Sequence, residues 1–137
     1  MEVKQILALD VGQARTGIAR ASNIARLAEP LMTVETAKVL DTIKDLTREQ
    51  ALEAIVVGLP RNMKSDDTAQ TDWVRNWVKT AKDQVNAPFY WQDEALTSKL
   101  AGGSALKLKK GQTEDALAAA IILEDFLDSG EAERVTC

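Results

Sequence analysis

The sequence predicts an α/β fold, a mixed sheet of five strands with helices on its faces. Three observations lead there. The chain opens with two strand-like segments joined by a glycine-bearing turn. Strand and helix patterns then alternate to the end, and the first segment, Ile6-Leu-Ala-Leu9, runs apolar without a polar break. An opening antiparallel run followed by alternating elements gives three antiparallel strands and then two parallel ones. An unbroken apolar run suits a strand covered on both faces, which places Ile6–Leu9 centrally.

Taken in order, Asp10 ends the first strand, Gly12 and Gly17 punctuate a turn, and Thr16 to Ala21 reads as the second strand of a hairpin. Leu27 to Thr36, β-branched and apolar around Pro30, suits a third strand near an edge, where a missing backbone donor does little harm. Ala37 to Glu53 sets Val39, Leu40, Ile43, Leu46 and Leu52 on one helical face. Ala54 to Val57 is a short buried strand, closed by Gly58-Leu59-Pro60. A helix capped by Ser65 or Asp66 follows to about Gln84, with Trp73, Val74, Trp77, Val78 and Ala81 inward. Trp73 and Trp77 are read as helix–sheet packing, because aromatics that stack on bases lie on exposed strands or loops. Phe89 to Gln92 forms the fifth strand and leads into Asp93-Glu94. Thr97 caps a helical turn that stops near Gly102-Gly103, and a last helix runs from Thr113 to Asp128. Without an internal repeat or a dividing linker, residues 1–137 read as a single domain.

Composition narrows the chemistry. There is no histidine, so histidine-based triads, His–Cys zinc sites and imidazole bases are excluded. Acid–base or metal chemistry has to run on carboxylates, lysines or hydroxyls. The single cysteine, Cys137, permits no internal disulfide and fits a reducing compartment. The opening Met-Glu-Val-Lys-Gln lacks a signal-peptide pattern, and the longest apolar run, Ala116 to Leu123, is too short to span a bilayer. A cytoplasmic protein without a membrane partner is the expectation. Net charge is −4, yet Lys99, Lys107, Lys109 and Lys110 fall in a stretch free of acids, leaving room for a local basic rim.

In open α/β sheets functional groups collect at the carboxyl ends of strands. Asp10 and the Asp93-Glu94 pair both sit at such ends. Asp10 could serve as a turn cap or as a ligand for a metal or phosphate. At about 100° per residue, Ala119, Ile122 and Phe126 lie below Asp115, so this acid heads the buried stripe of the last helix. Glu114 already satisfies the helix dipole. Asp115 on the apolar face is better explained by a partner inside, where it could meet Asp10 and Glu94. Three converging carboxylates repel one another unless cations lie between them. Their hard oxygens suit magnesium or manganese, and a pair of such ions serves phosphodiester cleavage. Arg61 and Asn62 either finish a strand-ending turn or approach a phosphate at the same rim. Lys107, Lys109 and Lys110 form either a solvated loop or a nucleic-acid contact.

Four blocks, in order and over nearly the whole chain, resemble the YqgF (RuvX) family. They are the hairpin Ile6–Ser22; Ile55-Val-Val-Gly-Leu-Pro-Arg-Asn-Met63; Asp93-Glu-Ala-Leu-Thr-Ser98; and Lys109-Lys110 followed by Glu114-Asp-Ala-Leu-Ala-Ala-Ala-Ile-Ile-Leu123. The resemblance implies a ribonuclease H-like fold and a metal-dependent nuclease that processes pre-16S ribosomal RNA, related in fold to Holliday junction resolvases. It makes Asp10, Glu94 and Asp115 the catalytic and metal-binding acids, with two Mg2+ or Mn2+ ions as cofactors. Alternation puts Asp93 and Glu94 on opposite faces without saying which face is the site. Two departures stand out. Ala95 replaces the family's arginine, a gap that Arg15, Arg61 or Arg75 could fill, and the lysine stretch is short. The expected nucleic-acid contacts are Arg15, Arg61, Asn62, Lys107, Lys109 and Lys110, and the expected partner is pre-ribosomal RNA or structured DNA, bound by a monomer or a homodimer. A junction-resolving DNA endonuclease and a catalytically silent binding module are the alternatives.

Overall fold

The computed structural model describes residues 2–62, 64, 66–94, 109–130 and 134–137. Its sheet is organised by β1 (Gln5–Val11), whose side chains from Gln5 to Leu9 are all buried. The hairpin partner β2 (Arg15–Ser22) pairs antiparallel with it, setting Asp10 opposite Gly17. β3 (Glu29–Glu35) adds antiparallel to β2 at the edge and accommodates Pro30 at a register shift. A 3-10 turn (Thr36–Lys38) leads into α1 (Val39–Glu49). β4 (Leu52–Leu59) then lies parallel to β1, α2 (Ala69–Lys82) follows, and β5 (Phe89–Asp93) lies parallel to β4. After α3 (Glu114–Asp128), a two-residue β6 (Val135–Thr136) pairs antiparallel with β5. The strand order is β3-β2-β1-β4-β5-β6.

The expected mixed sheet is present with a sixth strand added. That strand is too short to leave a periodic signal, and only its pairing with Tyr90 and Trp91 defines it. Several element boundaries also differ from the sequence reading. The helix expected to reach Glu53 stops at Glu49, because the backbone turns extended at Gln50. Gln5, fully buried, donates from Nε2 to the carbonyls of Leu46 and Gln50, both at 2.8 Å, which ties two carbonyls of the helix end to β1. Leu52 therefore belongs to β4, and Gly58 and Leu59 are strand residues rather than a closing turn. The second helix begins later than expected because its cap is Thr68, not Ser65 or Asp66. The Thr68 side chain accepts from the Thr71 backbone, and the Thr71 hydroxyl accepts from the Thr68 N–H at 2.9 Å. This is a capping box made of two threonines. The helical turn expected from Thr97 falls outside the described residues.

Residue alternation divides the core. Leu7, Leu9, Val11, Ile18, Ile55, Val57 and Phe89 face α1 and α2, meeting Val39, Ile43, Val74 and Val78. Trp73 and Trp77 are half-buried against this layer, as packing residues. On the other face Ile6, Ala8, Ala19, Ala21, Ala54 and Val56 meet α3 through Ala119, Ala120, Ile122, Leu123 and Phe126. The α3 face of the sheet is rich in alanine and glycine, so the helix approaches closely. The nearness is greatest at Gly17, where a Cβ would stand 1.9 Å from the Asp115 carbonyl oxygen. Among the described residues no helix is long and apolar enough to cross a membrane.

Candidate active site

The same alternation decides which acids can meet. Asp10 continues the parity of Ile6 and Ala8, and therefore faces α3. On β5, Tyr90 belongs to the α3 layer and Gln92 donates to Asp125 of α3 at 3.0 Å. Glu94 follows in step, with its N–H held by the Leu59 carbonyl at 3.1 Å. Its side chain lies against Gly58, whose missing Cβ would stand 3.0 Å from the Glu94 Cδ. Asp93 points the other way, to Arg61 Nη1 at 3.0 Å. The question the sequence left open is thereby answered in favour of Glu94 as the residue on the α3 face.

Asp115 reaches the same place from the helix. Thr113 caps α3 by accepting from the Ala116 N–H at 3.2 Å, and its hydroxyl also bonds that of Thr33 on β3. The first turn is thus pinned across the sheet, and the absence of a side chain at Gly17 lets the Asp115 backbone settle onto β2. Asp10, Glu94 and Asp115 line one cavity of about 280 Å³, together with Val11, Gly12, Arg15, Pro60 and Gln70. A larger cavity of about 620 Å³ lies at the opposite end of the fold, between the C-terminal parts of α1 and α2. Its lining contains no acid, so size does not mark the chemistry here.

The electrostatics of the small cavity are unusual. Burial, and then the charge of Asp115, push the Asp10 carboxyl up to about 6. Burial, followed by repulsion from Asp10 and Asp93, pushes Glu94 up to about 8. Among the described residues neither acid has an ion-pair or side-chain hydrogen-bond partner. Buried carboxylates without partners are costly, and the cost is largest when they repel each other. Asp115 does have a partner, Arg15, whose Nε lies 2.7 Å from Oδ2. The Arg15 loop is itself fixed. Gly12 N–H donates to the Arg15 carbonyl at 3.0 Å, Thr36 donates from its hydroxyl to the Gly12 carbonyl at 2.6 Å, and Thr16 supports Thr36 at 2.8 Å.

The donor set fits a hard divalent cation, since it offers carboxylate oxygens whose mutual repulsion such an ion would relieve. Among the described residues, however, no three acids are yet gathered tightly enough to hold one ion, and Asp115 is engaged by Arg15.

The remaining sequence-predicted residues lie around this rim in different roles. Arg61 is held by Asp93 and by Asp67, the latter at 3.0 Å from Nε as a charge contact without hydrogen-bond alignment. Arg75 joins the same group, 3.4 Å from Asp67 and over the Trp91 ring. The Asn62 side-chain oxygen accepts from the Lys64 and Asp66 backbones. Both Arg61 and Asn62 therefore build the loop between β4 and α2. Lys109 and Lys110 are exposed just ahead of α3, while Lys107 and Ala95 lie outside the described residues. Sequence reasoning missed Gln70, which lines the cavity and donates to the Val11 carbonyl at 3.4 Å. Its only signal was a place in the first turn of a helix aimed at the strand ends.

Comparison with known structures places this architecture among the ribonuclease H-like folds. Thermus thermophilus RuvC, solved with a Holliday junction substrate, aligns with a TM-score of 0.65 over 98% of this chain and 99% of its own, at 14% identity, a likeness of fold. The chain belongs to the RuvX family, whose sequence model, described as Holliday junction resolvase, matches residues 4–129. Relatives include a Roseiflexus protein, 37% identical over 93% of this chain and 96% of its own, and a Chloroflexus aurantiacus protein, 35% identical over 90% and 86%. Both carry the name "Putative pre-16S rRNA nuclease".

Proposed function

We propose that this chain is a cytoplasmic, divalent-metal-dependent phosphodiester hydrolase that acts on structured RNA and trims the ends of pre-16S ribosomal RNA. The observation that carries the reading is the convergence of Asp10, Glu94 and Asp115 on one cavity, two of them half-buried and without partners among the described residues. A fold gains nothing in stability from such a group, and strongly perturbed acids in a cleft are the mark of a functional site. In this reading the three acids hold Mg2+ or Mn2+, one ion or a pair, which when bound supplies an activated water and stabilises the leaving oxygen.

The chain's own groups do the rest. Arg15, at the mouth of the cavity, and Lys109 and Lys110, ahead of α3, attract and position the phosphate backbone. Arg61 and Asn62 act by shaping the β4–α2 loop that borders the site. Gln70 offers an amide at the rim that can orient a substrate oxygen. The pre-16S substrate rests on the names of the relatives, and the lysines supply a footprint for any phosphate backbone.

A second reading, a DNA junction resolvase working on the same acids, draws on the family description and on the fold shared with RuvC. One assay separates them. Cleavage of labelled pre-16S end fragments and of four-way DNA junctions, each with Mg2+ or Mn2+, is expected to favour the RNA. Junction cleavage with intact RNA would select the resolvase. Metal-independent binding with no cleavage of either would leave a silent binding module.

A further inference from the structure

Arg15 is the one basic side chain lining the carboxylate cavity among the described residues. It touches Asp115 through Nε alone, at 2.7 Å, and its side chain remains 72% exposed. Its backbone, by contrast, is fastened by the Gly12 N–H and the neighbouring Thr36 contacts. A fixed root with an exposed head allows the guanidinium to leave without rearranging the fold. The pair is also weak, because ion pairs open to solvent shift an equilibrium by about fivefold at most. A permanent structural bridge would be placed poorly here, beside two acids that have no partner among the described residues. A dedicated phosphate ligand would not be spent on the carboxylate that a metal needs.

Resting on the metal-dependent reading above, we propose that Arg15 is an exchangeable counter-ion. It neutralises Asp115 while no divalent cation is bound, gives way when one is, and then presents its freed N–H groups to a substrate phosphate. The exchange couples two ligands through one side chain. Whatever draws the guanidinium toward a phosphate releases Asp115 for metal, and by linkage metal and substrate strengthen each other's binding.

The test is calorimetric titration of Mn2+ alone into wild type, Arg15→Gln and Lys110→Gln, with no RNA present. A fluorescence-anisotropy titration of a pre-16S end fragment, with and without Ca2+, accompanies it. Arg15→Gln is expected to bind Mn2+ more tightly by roughly fivefold, the competing ion pair being gone. Lys110→Gln, which removes a charge but no competitor, is expected to change much less. Ca2+ is expected to raise RNA affinity in wild type and to do so less in Arg15→Gln. Equal or weaker Mn2+ binding by Arg15→Gln would overturn the exchange while leaving the metal site standing, and so would an equal gain in Lys110→Gln. A wild-type protein that takes up no Mn2+ would remove the metal site itself, and the exchange with it.

Discussion

Two glycines on the α3 face offer a sharp test of how the site is built. Neither Gly17 nor Gly58 has a positive φ, so each is there for space and not for backbone conformation. An alanine at either position would keep the strand geometry and, through the unfolded chain alone, would stabilise by about 0.4–1 kcal/mol. Contacts decide otherwise. At Gly17 the new Cβ would fall 1.9 Å from the Asp115 carbonyl oxygen, 2.2 Å from its carbon and 2.8 Å from the Ala116 nitrogen. These are backbone atoms and cannot rotate away. Restoring an ordinary carbon–oxygen contact of about 3.3–3.6 Å moves the first turn of α3 outward by roughly 1.5 Å. Such overpacking costs typically about 1–3 kcal/mol, and the immobility of the neighbours puts Gly17→Ala at the upper end.

At Gly58 the Cβ would meet Ile122 Cδ1 at 2.5 Å and the Glu94 Cδ and Cγ at 3.0 and 3.2 Å. Those are side-chain ends that can turn, so the stability loss should be near 1 kcal/mol or below, at the mild end of overpacking (about 1–3 kcal/mol). Glu94 would turn with them. Because a displacement of about 1 Å can cost a hundredfold in rate, Gly58→Ala should lose activity out of proportion to stability, whereas Gly17→Ala loses both. Urea denaturation paired with metal-dependent cleavage reads the two quantities. A Gly17→Ala protein with wild-type stability and wild-type cleavage would refute the close approach of α3 on which the site depends.

Three further outcomes follow from the same geometry. Asp10 and Glu94 bind protons more tightly folded than unfolded, rising from 3.8 to about 6 and from 4.5 to about 8. Their contribution to stability is therefore fully present below pH about 4 and is lost as pH rises toward 8. In chelator, Glu94→Gln should gain melting temperature over wild type increasingly across that window, and a constant difference would contradict it. Arg61→Ala, which removes one ion pair from each of Asp67 and Asp93, should cost about 1–2 kcal/mol by denaturation with little change in RNA affinity. A large affinity loss at wild-type stability would instead make Arg61 a phosphate ligand. Replacing Lys109 and Lys110 with alanine should lower RNA affinity and flatten its salt dependence, by roughly one unit of slope for each phosphate no longer neutralised. An unchanged slope would make these lysines a solvated loop.

Much of this arrangement was legible in the residues. The apolar run ending in Asp10 marked the central strand, because burial on both faces tolerates no polar position until the strand ends. Helix phase singled out Asp115, because a charge heading an apolar stripe has to be explained from inside. Other features had no local signal. Whether Asp93 or Glu94 faced α3 depended on how β5 sits in the sheet, which only its neighbours determine. The extension of β4 through Gly58 was hidden because a Gly–x–Pro sequence ordinarily reads as a turn, and here the glycine makes room for Glu94 and Ile122. The Thr68–Thr71 capping box lies later than the more familiar Ser65 and Asp66 candidates. β6 exists through pairing alone.

The central claim is that the three acids form a metal-dependent catalytic centre, and Asp10→Asn tests it most directly. The substitution keeps size and hydrogen-bonding capacity and removes one charge from a half-buried, repulsive site. Melting temperature in chelator and Mg2+-dependent cleavage of a pre-16S end fragment are measured on the same preparation. The account predicts cleavage lower by orders of magnitude, with stability unchanged or raised because repulsion is relieved. A variant that cleaves at the wild-type rate and is destabilised by about 1 kcal/mol, as loss of a turn cap would do, would contradict it.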